Sequence, residues 1–430
     1  MRAGARPQLS AARPARLGRW WAWRREAAIL LVLIALHLGA VGAGPLNPMI
    51  VAIGVLGALW LMERLATPFA AWRPGVFMHL CLLFGAVVLL SAFGRQPGEI
   101  LEGVVTFLPK LFLAIVLADL LTDRARAEGT LFAMLMVAAL VALCALLQVG
   151  VFLLFDAEYT LADEFFRYSF LPDFTLLRAT AFARTANQFA PPILVAGVSS
   201  LMLAACRPAG PGQRWLLLCG LLDLAAVALS MVRGAWLALL LCAVVLPLAW
   251  RPARLVRWGG LLLFGVVLAW AGGAWHWLAA GSRAMLTSFN GVGINNFAAQ
   301  SPTFEAYPVH NAFLQVGSEL GIPGLLVFLA VLGWVGGRLV RAATVASPFS
   351  APFSARVSAA AVAGGMFALL VLCSSEPLAY SQFLWIYLAL CDAVARHVLA
   401  TRVQPARPEP GDAPRIPREP PPLAPSPGAP

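Results

Sequence analysis

The sequence predicts an all-α, polytopic membrane protein, a helical bundle of about twelve transmembrane helices with both termini on the cytoplasmic side. Three observations carry this. Of 430 residues, 60% are hydrophobic and 12% charged, so no water-facing surface could be assembled from them. Apolar runs recur along the chain, each long enough at about 1.5 Å per residue to cross about 30 Å of hydrocarbon. The basic residues alternate with those runs: if the N-terminus is inside, 24 of the 31 Lys and Arg lie in inside segments, six lie outside, and Lys110 lies within a span.

In chain order, residues 1–26 form a basic cytoplasmic segment with seven Arg, of which 1–19 is expected to lack structure. The spans then run at about 27–44, 48–63, 76–93, 100–121, 129–155, 188–206, 215–231, 235–250, 258–279, 312–340, 357–375 and 382–400. The first resembles a signal peptide, with Arg24 and Arg25 ahead of it and small residues behind. Its apolar run is long and more spans follow, so retention is expected. Residues 27–400 thus make one membrane domain with two long outside loops, at about 156–187 and 280–311. The tail, 401–430, is rich in Pro with Arg and Glu interspersed and is expected to stay disordered on the cytoplasmic side.

The net charge of +11 follows from the loop asymmetry and suits contact with anionic membrane lipid. Its Arg residues are scattered over many short loops, which argues against nucleic acid as a partner. All seven Cys fall in or at the ends of apolar runs without Cys-x-x-Cys spacing, so they read as small hydrophobes, and no metal or cofactor is expected.

Polar chemistry collects in the outside segments. His310 stands where the second long loop re-enters an apolar run, and its ordinary pKa of about 6.5 suits a general base for a hydroxyl; the alternative is a histidine at a helix start. Asn311 is a good helix cap, and Pro323-Gly324 is expected to bend the helix that follows. Helical spacing turns Glu319 away from His310, which suggests a structural role. Arg233, in the turn Ser230-Met231-Val232-Arg233-Gly234, and Arg283 are permanently charged planar donors that suit a diphosphate or a lipid headgroup. Arg178 and Arg184 lead into Asn187 at another helix start, and Gly291-Val292-Gly293 precedes Asn296 in the second loop. Lys110 and Asp223 sit at similar depth within spans and are expected to pair.

Three stretches, in order, resemble the O-antigen ligase and polymerase superfamily: the Ser230–Gly234 turn, the loop Gly291-Val292-Gly293-Ile294-Asn295-Asn296-Phe297, and His310-Asn311 through Glu319, Gly321 and Gly324. The resemblance implies a metal-independent glycosyltransferase of the bacterial inner membrane with its site facing the periplasm. Such an enzyme moves a glycan from a polyprenyl diphosphate carrier to a hydroxyl of lipid A core or of another glycan. It implies His310 as base or acceptor-orienting group and Arg233 and Arg283 as ligands of the diphosphate. Substrate contacts are expected from Arg178, Arg184, Asn187, Gly291, Gly293, Asn296 and Asn311. A lipid-linked glycan transporter is the reading from another class; it predicts paired inverted repeats, which the sequence does not display.

Overall fold

The computed structural model describes residues 12–38, 47–66, 74–92, 97–155, 167–171, 174–249, 289–297, 310–345 and 353–400. These hold twelve helices: α1 (Ala12–His37), α2 (Pro48–Ala66), α3 (Val76–Ser91), α4 (Pro97–Leu120), α5 (Arg124–Phe155), α6 (Ala186–Ala205), α7 (Pro211–Leu229), α8 (Arg233–Ala249), α9 (Ala312–Glu319), α10 (Gly321–Val345), α11 (Phe353–Ser375) and α12 (Gln382–Ala400). Eight of them, α2, α4, α5, α6, α7, α10, α11 and α12, are long and apolar enough to cross a membrane, so the chain is a multi-pass helical membrane protein. The apolar part of α8 and all of α3 are shorter apolar helices.

Four expectations change. Residues 12–19 are helical: α1 begins at Ala12, with Pro14 in its first turn, where its missing N–H costs nothing, and Ala and Arg as good helix formers beyond. The run at 312–340 is two helices, broken at Gly321 and not at Pro323-Gly324, which lie inside the first turn of α10. The loop 156–187 holds an antiparallel hairpin, β1 (Arg167–Leu171) and β2 (Phe174–Leu177). Lys110 and Asp223 do not pair, as described below. The run at 258–279, Arg283 and the tail lie outside the described residues.

The core gathers around α12, whose residues from Phe383 to Ala395 are all buried. Trp385 lies 5.2 Å from Phe84 and 5.8 Å from Phe107 between ring centres, bringing α3 and α4 onto α12. Among apolar lipid tails, such close packing, and not escape from water, is what holds helices together. The bundle has two polar ends. At one, ion pairs close the helix termini: Arg64 with Asp119, Arg124 with Glu128, and Asp392 between Arg338 and Arg396. The other end, where α7 passes into α8 and α11 ends, holds the candidate site.

Candidate functional site

The site is built on the last turn of α11 and the residues after it, Ser374-Ser375-Glu376. Three separate stretches meet there. Asn311 caps α9: its Oδ1 accepts from Leu314 N at 2.9 Å, while its Nδ2 donates to the Ser374 carbonyl at 2.9 Å. One amide thus starts a helix and ties it to α11, fixing half-buried His310 immediately ahead of it.

The second stretch is the turn between α7 and α8. Ser230 Oγ donates back to Val227 O at 2.6 Å, and Met231 takes a left-handed conformation with φ of 57°, so that α8 can begin at Arg233. Gly234 packs on the α11 end: a Cβ there would overlap Ser375 Oγ and lie 3.0 Å from Glu376 Oε1. Arg233, the first residue of α8, is exposed beside this contact.

The third stretch enters from the hairpin. Ala179 N donates to Leu229 O at 3.0 Å, and Arg178 Nε donates to the Ser230 carbonyl at 2.8 Å. Gln148 of α5 supports the next turn, its Oε1 accepting from Ala181 N at 3.1 Å. Arg178 therefore bridges toward both the turn and Glu376. Burial pushes the Glu376 carboxyl up to about 7, and the Arg178 charge pulls it partly back. Burial moves His310 the other way, favouring its neutral imidazole.

The Gly291–Phe297 stretch docks beside these, across the α9–α10 break. Val292 N donates to Ser318 O and Gly293 N to Glu319 O, both at 2.8 Å, and Ile322 N donates to Phe289 O at 3.1 Å. The first two satisfy carbonyls at the end of α9 that no longer have helical partners, and the third satisfies an N–H at the start of α10. Gly291 and Gly321 both have φ of 70°, and a Cβ on either would overlap the other strand's backbone. Gly293 has φ of 96° and Asn296 Nδ2 donates to Val292 O at 3.0 Å, so both shape this loop.

Glu319 is 3% exposed and accepts from Asn295 N at 2.8 Å, next to the Tyr380 ring that follows α11. Burial pushes its carboxyl up to about 8, against the lowering effect of the Asn295 N–H and the Tyr380 hydroxyl. Lys110 Nζ donates to the Tyr380 carbonyl at 3.1 Å. Asp223 is fully buried on α7, and neither carboxylate oxygen has a hydrogen-bond partner among the described residues. Similar depth did not bring the expected pair together because α4 packs on α3 and α12, whereas α7 packs on α5, α6 and α8.

No protein-family model matches the chain, and no curated protein matches it significantly.

Of the expected residues, Arg178, Arg233, His310 and Asn311 lie on the three stretches that meet at α11. Gly291, Gly293, Asn296 and Glu319 lie in the adjoining docked loop. Arg184 is exposed and Asn187 half-buried at the start of α6, where Thr185 provides the cap by accepting from Gln188 N at 3.3 Å. Arg283 lies outside the described residues. Glu376 was not singled out from the sequence. Its one signal was a carboxylate directly after a long apolar helix and before Pro377.

Proposed function

We propose that this protein is a membrane glycosyltransferase that moves a glycan from a polyprenyl diphosphate carrier to a hydroxyl of lipid A core, at the periplasmic face of the bacterial inner membrane, as O-antigen ligases do. One observation carries the reading: Arg178 donates to the turn that presents Arg233, that turn packs on Ser375 and Glu376, and Asn311, next to His310, donates to the Ser374 carbonyl, all at one end of the bundle. Cations and a neutral imidazole at one end of the bundle suit displacement of a diphosphate by an alcohol. As the new C–O bond forms at the anomeric carbon, His310 takes the hydroxyl proton and the bond to the diphosphate breaks, with the electron pair leaving on phosphate oxygen. Arg233, with Arg283 of the second outside loop, stabilises that charge through paired N–H donors. The donor brings its own energy, so the residues need only bind, orient and accept one proton.

In this reading twelve crossings place both termini in the cytoplasm. The basic-residue bias predicts that reporters fused after residues 167 and 295 report periplasm and those after 212 and 345 cytoplasm. A cytoplasmic signal at 295 would separate His310 from any donor displayed outside and end the proposal.

The functional test is deletion in the native host followed by glycolipid analysis. Loss of a ligase strands full-length polymer on its carrier and leaves the core bare. Single repeats on the core would instead make this a polymerase, with a growing glycan as acceptor. Lipid-linked repeats trapped in the cytoplasm would make it a transporter.

A further inference from the structure

We propose that Glu376 is the ligand of the acceptor: its Oε2 receives a hydrogen bond from a hydroxyl of the incoming sugar-bearing molecule while the arginines hold the diphosphate of the donor. This rests on the glycosyl-transfer reading above and assigns a second side to that same site.

Glu376 is 5% exposed, and its Oε2 has no hydrogen-bond partner among the described residues. A buried acceptor without a donor is costly, more so when charged, and calls for an occupant. Several polar groups around it bond elsewhere. Ser374 Oγ and Ser375 Oγ donate back to Val371 O and Leu372 O, at 2.6 and 3.3 Å. Both ends of the Asn311 amide are used, one on Leu314 N and one on the Ser374 carbonyl. Arg178 spends its Nε on the Ser230 carbonyl. The other oxygen, Oε1, is packed over Gly234 at the start of α8, 3.0 Å from where a Cβ would stand.

The chemistry of the missing group then separates the two substrates. A diphosphate presents only acceptor oxygens and negative charge, and an ionised carboxyl, the form that the Arg178 charge favours, repels it. A sugar acceptor presents several O–H donors. The free carboxyl oxygen therefore matches the acceptor and not the donor, and Glu376 follows two residues after Ser374, whose carbonyl holds Asn311 next to His310, which takes the reacting proton. A vicinal hydroxyl bound to Glu376 would orient the reacting one, so Glu376 transfers no proton itself.

The experiment uses full-length protein in lipid nanodiscs, with an undecaprenyl diphosphate-linked glycan as donor and lipid A core as acceptor, each titrated separately. Farnesyl diphosphate binding serves as an independent probe of the donor side. Glu376→Gln keeps the shape and removes the charge; we expect KM for lipid A core to rise roughly ten- to a hundredfold, the factor that loss of one hydrogen bond to a charged group gives. Donor KM and farnesyl diphosphate affinity should stay within about twofold. Glu376→Asp, which keeps the charge but draws it back, should give an intermediate acceptor KM, and this variant keeps the test open if Glu376→Gln does not fold. A Glu376→Gln protein with normal acceptor KM overturns the inference while leaving the transferase reading intact, as does one whose loss falls on the donor. A wild-type protein that neither binds farnesyl diphosphate nor transfers glycan overturns the transferase reading and this inference with it.

Discussion

Replacing Gly321 by Ala tests the crossing of the docked loop over the α9–α10 break. At φ of 70° an alanine costs about 1–2 kcal/mol by itself. Its Cβ would overlap the Phe289 carbonyl and lie 2.5 Å from Gly291 N, against 3.4 Å for an ordinary contact, so the loop must withdraw by about 1 Å. That movement strains three hydrogen bonds at once, Val292 N to Ser318 O, Gly293 N to Glu319 O, and Ile322 N to Phe289 O. At about 1 kcal/mol for each, the sum is about 4–5 kcal/mol if all three are lost, and less if the loop relaxes. The matched control is Gly333→Ala within α10, where a Cβ meets nothing within 4 Å and Ala should stabilise the helix by up to about 1 kcal/mol. Thermal unfolding in detergent should show Gly321→Ala melting several degrees below wild type and Gly333→Ala at or above it. Equal midpoints for Gly321→Ala and wild type would refute the docked crossing.

Three further outcomes are expected. His310→Ala should slow transfer by about 10²- to 10⁴-fold with donor binding nearly unchanged, measured with metal chelator present throughout; near-normal turnover would leave His310 a helix-start residue only. Arg233→Ala should raise donor KM as well as lower kcat, because the diphosphate is charged in both ground and transition states, and Lys should rescue only in part; an unchanged donor KM would remove Arg233 from the donor site. Glu319 binds its proton more tightly folded than unfolded, so stability tied to it is present below the ordinary carboxyl pKa of 4.5 and is lost as pH rises toward about 8. Thermal midpoints across that window should fall for wild type and stay flatter for Glu319→Gln; parallel curves would show that Glu319 does not titrate there.

The membrane class was legible in the sequence because hydropathy sums locally: an apolar run of about twenty residues must span or be buried whatever its neighbours are. Asn311 as a helix start was legible for the same reason, since a cap bonds within its own first turn. The break at Gly321 was not. Pro323 looked like the breaker, yet proline fits the first turn of a new helix, and the left-handed glycine that ends α9 is held open by the loop docked across it. The partner of Lys110 was likewise hidden, since matching depth says nothing of which helices touch; the lysine found the Tyr380 carbonyl, 270 residues on. Glu376 is the clearest case. Within its own segment it follows an apolar helix like any polar terminus, and it becomes part of a site only because the ends of α7 and α11, the start of α9 and the strand leading to Arg178 are brought together. Local periodicity and capping settle which residues are helical. Which polar groups share a site depends on contacts between residues far apart in the chain, and those exist only once the helices have packed.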